Sequence, residues 1–515
     1  MFSILLIKII SKTRAFPLPS RGITSEVELK KQVFSEAVKK FIISGTFIVL
    51  ILTACNIPKQ LTQPAVIADL PSTYLQASAD SSSIAATPWK LFFTDTVLQQ
   101  LIDTALAKNL ELLHTDQQIK ISATYLGMAK ALTLPTLEAV INTQVDRYAF
   151  YTMNGIGNYD LNKSNNITND MRIPNAVPDL MIGLRSQWEI DVWGKLRSMK
   201  KAALSRYLGT VQGKLFLQTN IVSEVAYRYY ELLGLDFEID IVRKNILLQQ
   251  NALEIVKAQK LGGRATELAV LQFEALVYKT KAIEYGVRQQ IAETENRLNL
   301  LLGRYPQIIQ RGQGLMQLNL PVNIKSGIPA NLLLMRPDVN RAMYDLTAAY
   351  QDVAAARTMY YPAFNITPYI GFQGFRLPAF LNAQSIAAGI AGNIAAPIFN
   401  RKKVRGNYSI SEAQAKQTWF GYNKTMQTAV MEVQTSLQGI NNLASQYALK
   451  QQEVKELATA IGTANDLYAN GYANYLEVIT AQKSLVDAEI ELTLMKKVQF
   501  QTIVALYRAS GGGWR

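Results

Sequence analysis

The chain has 515 residues, 49% of them hydrophobic and 18% charged, with a formal net charge of +14, a balance that excludes a disordered polypeptide. Its one histidine (His114, within a helical pattern), its one cysteine (Cys55) and its lack of a glycine-rich phosphate loop argue against a metal cluster, a Ser-His-Asp triad and an ATPase. No catalytic residue, metal site or cofactor is therefore expected, and the positive charges are scattered along helical faces and in the leader, so no nucleic-acid partner is expected either.

The leader comes first. Lys39 and Lys40 precede an apolar run of 14 residues at 41–54, the layout of a signal peptide and too short for a membrane-spanning helix. Leu52-Thr53-Ala54-Cys55 resembles the bacterial lipobox, which implies that the Cys55 thiol is lipidated and becomes the mature N-terminus. Asn56 in the next position fits outer-membrane sorting. A leader of residues 1–54 is long for this class and points to an over-extended start, with a non-methionine codon near Val33 as the alternative. Residues 55–92 form the expected lipidated N-terminal arm; up to about Thr87 they are rich in Ser, Ala, Thr and Pro, without helical period, and read as extended and packed on the outside.

From Asp95 an amphipathic pattern (Leu98, Leu101, Ile102, Ala105) runs on through Ile119, Ala123, Leu126 and Ala129 and stops before Pro135. The period then changes from 3.6 to 2. Leu137, Ala139, Ile141, Thr143 and Val145 alternate with Glu138, Asn142, Gln144 and Asp146. After a polar loop at 152–179, Leu180, Ile182, Leu184, Trp188 and Ile190 alternate with Arg185, Gln187 and Glu189. In the second half, Phe364, Ile366, Ile370 and Phe372 oppose Asn365, Thr367 and Gln373, while Ile386, Ile390, Ile394 and Ile398 oppose Ser385, Gly389 and Asn393. Segments of roughly ten residues with one apolar and one polar face match transmembrane β-strands; half-buried strands of a soluble sandwich are the alternative. Aromatics near their ends (Tyr148, Phe150, Tyr151, Trp193, Phe375, Phe380, Phe399) favour the membrane reading, as interfacial girdles. Four strands cannot close a barrel, since natural membrane barrels have at least about eight, so a membrane reading requires several copies.

All 17 prolines fall outside residues 179–305 and 398–515. Each window holds a helical run that ends at a glycine, Gly263 or Gly471, and a returning helix about half as long, from about Glu267 and from about Tyr475. The helices that lead into the strands have the length to stack on the returning ones. Pro135 corresponds to Pro362 at an offset of 227, and Gly263 to Gly471 at an offset of 208, so the chain is an internal duplication. The expected division is a first repeat at 93–302, an equatorial linker at 303–333 and a second repeat at 334–515.

These residues resemble the TolC-type outer-membrane efflux family, in its lipoprotein branch that serves resistance-nodulation-division pumps. Gly327-Ile328-Pro329-Ala330-Asn331-Leu332-Leu333 with Arg336-Pro337-Asp338-Val339 is similar to the family's mid-chain signature, and Tyr361-Pro362 to the start of its third strand. Leu506-Tyr507-Arg508-Ala509 with Gly511-Gly512-Gly513-Trp514 is similar to that branch's ending. The resemblance implies an α+β membrane protein. Each protomer gives four β-strands to a trimeric twelve-stranded outer-membrane barrel and long helices to a periplasmic α-helical tunnel, with a small mixed equatorial region. It also implies a passive duct lodged in outer-membrane lipid. An inner-membrane pump of the resistance-nodulation-division type supplies the energy, and a periplasmic adaptor (membrane fusion) protein docks at the helical tips. The same fold also serves type I protein secretion, and a non-channel coiled-coil envelope lipoprotein is the reading from another class.

At the tips, the resemblance implies carboxylate rings six and nine positions after Gly471, where this chain has Glu477 and Thr480. It also implies a closing hydrogen bond from Tyr468 to an acid six positions after Gly263, where this chain has Ala269. With that acid missing, Arg264 and Glu267 are the candidates for a different latch.

Overall fold

The computed structural model describes residues 58–59, 61–62, 71–74, 84–320, 327–331, 335–397 and 401–515. The leader at 1–54, Cys55, most of the arm, Leu332, Leu333, Ile398 and Phe399 lie outside the described residues. Two compact units separate, Met1–Lys59 and Gln60–Arg515. The second holds, in order, α1 (Trp89–Phe92), α2 (Thr96–Lys108), α3 (Leu110–Ala131), β1 (Thr136–Asp146), α4 (Met153–Lys163), β2 (Val177–Ile190), α5 (Lys195–Leu261), α6 (Glu267–Leu301), α7 (Pro337–Thr358), β3 (Ala363–Gly374), α8 (Leu377–Phe380), β4 (Ile386–Ala395), α9 (Arg401–Ala469) and α10 (Tyr475–Ala509).

The proline-free windows become α5 and α9, of 67 and 69 residues, each about 100 Å long at 1.5 Å per residue. Asp191 starts α5: its carboxylate accepts from the N–H groups of Leu196 and Arg197 at 3.1 and 2.9 Å. Gly263, at φ 74°, ends the turn that follows, a left-handed conformation that favours glycine. Midway, α5 buries most of its surface: Ile221, Val222, Val225, Ala226, Tyr229, Leu232 and Leu233 pack with Leu98 and Ile102 of α2, Leu298 of α6 and Phe500 and Val504 of α10. This is the main core; the face of α5 turned away from it carries the ion-paired row Glu224, Arg228 and Glu231, with Arg228 2.8 Å from each carboxylate.

The amphipathic pattern that begins at Asp95 reads as one helix but is two. Asn109 interrupts it at φ −61°, ψ 125°, and caps α3 by accepting from the N–H groups of Glu111 and Leu112. Its amide also donates to the Leu301 carbonyl at the end of α6, at 2.9 Å. The break brings the start of α3 to the end of α6, where Gly303 lies against the Lys108 carbonyl. The other half repeats the junction with different chemistry: Arg336, before α7, donates to the Ala509 carbonyl at the end of α10 at 2.9 Å. Asn109 and Arg336 are 227 positions apart, and the glycines that close α6 and α10, Gly303 (φ 64°) and Gly511 (φ 95°), are 208 apart, the same two offsets that relate the prolines and the tip glycines.

Arg336 is buried and also pairs with Asp338 at 2.6 Å and Glu432 at 2.7 Å. Burial disfavours its charge, but the hydrogen bonds and negative charge of Asp338 and Glu432 outweigh this and hold its pKa above the ordinary value. The C-terminal motif is locked beside it. Tyr507 stacks on Phe92 at 4.0 Å and donates to the Thr87 carbonyl at 2.7 Å, burial pushes its hydroxyl pKa up to about 12, and the Trp514 indole donates to the Met335 carbonyl at 3.2 Å.

Of the arm, Tyr74 is buried among Val339 and Leu346 of α7 and Tyr422 of α9. Leu61 packs beside Val353 of α7 and Tyr408. Because α7 runs toward β3, Leu61 lies nearer the sheet than Tyr74 does. The polar loop between β1 and β2 contains α4, which buries none of its residues, and the last residues before α2 form α1 rather than an extended arm.

Removing one partner of a buried, hydrogen-bonded charge cluster costs about 3 kcal/mol, against about 1 kcal/mol for a neutral cap. Arg336→Ala is therefore expected to lower the thermal midpoint of the folded protein in detergent more than Asn109→Ala does. The reverse order would contradict this account of the two junctions.

Candidate channel-forming site

The four strands form one antiparallel sheet in the order β1-β2-β3-β4. Their register aligns the faces read from the alternation. Ile141, Ile182, Phe372 and Ile386 are successive partners across all four strands, and next to them run Ala139, Leu184, Ile370 and Ala388. In the single chain this face is open: Leu137 is 71%, Ile141 73% and Ile390 75% exposed. Exposure of so large an apolar surface marks an interface with lipid or protein.

The opposite face carries the polar set. Glu138, Arg185, Tyr369 and Gly389 are successive partners; Arg185 bonds Glu138 at 3.2 Å, and the Gln373 amide donates to Asp179 at 3.0 Å. Glycine sits where strands approach closely. A Cβ on Gly183 would come within 2.5 Å of the Ile370 carbonyl oxygen, and one on Gly371 within 2.4 Å of the Ile182 oxygen. At Gly389 the obstacle is the Tyr369 ring, which lies over it. The outer edges of β1 and β4 have no strand partner among the described residues.

All four strands meet the helices at one end of the sheet. There Trp193 stacks on Tyr361, centroids 4.6 Å apart, and its indole donates to the Pro362 carbonyl at 2.8 Å. At the other end, Phe150 meets Tyr151 and Tyr159 edge to face. Aromatics thus bound the apolar band on both sides, as membrane interfaces favour. Among the described residues no helix is long and apolar enough to cross a membrane; the sheet is the candidate spanning element.

The hairpin tips lie at the far ends of α5 and α9. Gly263 (φ 74°) and Gly471 (φ 81°) make the turns, Thr266 caps α6 by accepting from the Ala269 N–H, and Asn474 caps α10 by accepting from the Leu476 and Glu477 N–H groups. The two tips pack together: Leu253, Val256, Ala269, Val270 and Phe273 form an apolar cluster against which Tyr475 and Ile479 of α10 rest. Ala269 is fully buried there. The Tyr468 hydroxyl donates to the Gln259 side-chain oxygen of α5, and burial raises its pKa.

Glu267 pairs with Lys260 within its own hairpin, and Arg264 is exposed. Glu477 is exposed in the first turn of α10, where the helix dipole favours a carboxylate. The Thr480 hydroxyl donates to the Leu476 carbonyl at 2.8 Å. Gln259 escaped the sequence reading: nothing distinguishes it there from Gln249 or Gln250.

A two-faced sheet with open edges, continued by helices far longer than any core requires, defines a channel protomer whose wall other copies complete. The sequence profile of the outer membrane efflux protein family matches residues 101–304 and 328–512. The chain belongs to this family. It is 27% identical over 476 residues to the cation efflux system protein CusC of Escherichia coli O6:H1, covering 91% of this chain and 98% of that protein. To the solvent efflux pump outer membrane protein SrpC of Pseudomonas putida it is 28% identical over 474 residues, 91% of this chain and 97% of that one. A crystal structure of a membrane protein from Pseudomonas aeruginosa has the same fold, with a TM-score of 0.78 at 24% identity, covering 88% of this chain and 99% of that one. The protein is an outer-membrane channel component of an efflux system, with the TolC-type fold.

Overfilling a tight contact costs about 1–3 kcal/mol. Gly183→Ala must displace a backbone and is expected to cut the yield of folded, heat-modifiable protein in gels, while Gly389→Ala only asks a ring to swing and leaves it nearly intact. Equal yields would mean that the strands do not approach as described.

Proposed function

We propose that three copies join through their β1 and β4 edges into one twelve-stranded barrel, and that barrel and helices form a passive duct from periplasm to exterior. The observation that carries this is the sheet itself: apolar rows for lipid, polar rows for water, and two edges without a strand partner among the described residues. Energy comes from an inner-membrane pump, of the resistance-nodulation-division type by the family resemblance, and a periplasmic adaptor joins the two at the hairpin tips. The repeats divide at 93–302 and 334–515 about the linker at 303–333. Cys55, lipidated after removal of the leader, anchors the arm, and the place of Leu61, nearer the sheet than Tyr74, supports this.

The tips serve as the gate. Tyr468 and Gln259 tie the second hairpin to the first and take the role of a latch in the absence of an acid at Ala269, while Gly263 and Gly471 let the hairpins turn. Glu477, three to a trimer, lines the entrance and favours cations. The names of the two relatives refer to cations and to solvents; a wide aqueous duct discriminates little, so the cargo of this chain is set by its pump.

Purified protein in planar bilayers is expected to form trimers that conduct ions; a monomer without conductance would sink the reading. A hydrogen bond worth about 1 kcal/mol per copy is lost in Tyr468→Phe, which is expected to shift the channel several-fold toward open states; unchanged open time would remove the latch. Glu477→Ala is expected to lower cation-over-anion permeability, and unaltered selectivity would take Glu477 out of the gate.

A further inference from the structure

The helical margin of the sheet carries a basic groove that conduction does not require. Trp193, besides stacking on Tyr361, lies 6.3 Å from the ring of Phe364, a residue of the apolar face. Beneath these rings a cavity of about 310 Å³ opens between α5 and α7, lined by Arg197, Ser198, Lys201 and Arg357 together with Trp193 and Tyr361. Positions 194, 197, 198 and 201 recur at helical spacing on one face of α5, and no acidic side chain lines the cavity. Asp191, which caps α5, pairs with Arg197 at 3.2 Å from outside it, and Arg357 also bears on the Tyr408 hydroxyl.

A second cavity, of about 210 Å³, shares Trp193, Thr358 and Tyr361 and also takes in Glu189, Ile190, Lys195, Ala363 and Ala395. Ala363 and Ala395 are partners on the polar face, and Glu189 and Lys195 pair at 3.0 Å. Trp193 and Tyr361 thus form a wall common to both spaces, and Trp193 links the basic one to Phe364 of the apolar face.

We propose that this groove seats the phosphate of an anionic glycerophospholipid from the membrane leaflet on the helical side, its acyl chains lying along the strand face that begins at Phe364. Three cations complement the phosphodiester, the aromatic stack sits at headgroup depth, and the continuous apolar face receives the chains, which a soluble anion lacks. The assignment rests on the reading that this face meets lipid.

The test uses the full chain in nanodiscs of phosphatidylcholine with a minor fraction of phosphatidylglycerol, moved into mild detergent, with retained lipid counted by native mass spectrometry. Phosphatidylglycerol is expected to be retained preferentially, and Arg197→Ala with Lys201→Ala to reduce that preference about five-fold per cation removed. Lys424→Ala with Lys455→Ala, on α9, leaves it unchanged. Lys201→Ala alone, which breaks no ion pair among the described residues, gives the same direction should the double variant misfold, and Lys201→Arg retains the preference. Equal retention of both lipids, or a preference indifferent to Arg197 and Lys201, overturns the proposal. So does displacement of the lipid by inorganic phosphate at matching concentration, the mark of a plain anion site. Failure of the wild-type protein to enter nanodiscs at all would instead sink the channel reading beneath it.

Discussion

An antiparallel sheet of four strands that is apolar on one face, polar on the other and open at both edges cannot be at rest in water as a single chain. Each unpaired edge presents a row of donors and acceptors, which lipid cannot satisfy, and the apolar rows running through Ile141, Ile182, Phe372 and Ile386 are left uncovered by the described residues. Closure with other copies answers both demands at once. The edges pair, the apolar rows meet lipid, and the polar rows enclose water.

The helices obey a related constraint. A wall of long helices around an aqueous space offers little core, so its stability gathers where a core is possible, around the middle of α5, where Tyr229, Leu232 and Leu98 are buried almost completely. At the same level, each half joins a returning helix to a leading one, by Asn109 on the Leu301 carbonyl and by Arg336 on the Ala509 carbonyl. Duplication preserved the positions and changed the groups. The second junction also binds two carboxylates and lies beside the C-terminal turn, which gives the Arg336-Pro337-Asp338 and Gly511-Gly512-Gly513-Trp514 runs a structural reason.

Periodicity made much of this legible. Strand faces, helix lengths and tip glycines follow from local alternation, absence of proline and positive φ, all of which act within a few residues. What escaped depends on distant partners. Asn109 sits in an unbroken amphipathic pattern, and only the end of α6, 192 positions away, shows why the helix breaks there. Gln259 is one amide among several until Tyr468 reaches it from the other hairpin. The basic groove joins Arg197 and Lys201 to Arg357, residues from the two halves of the chain, and no local pattern relates them.

Electron cryo-microscopy of the full chain in lipid nanodiscs tests the central claim most directly. The expected image is a three-fold ring of twelve strands in the bilayer, the β1 edge of each copy bonded to the β4 edge of the next, with the Glu138–Arg185 face inward and the Ile141 row in lipid. A sheet lying outside the bilayer, or one whose apolar rows face another protein surface in water, would contradict it.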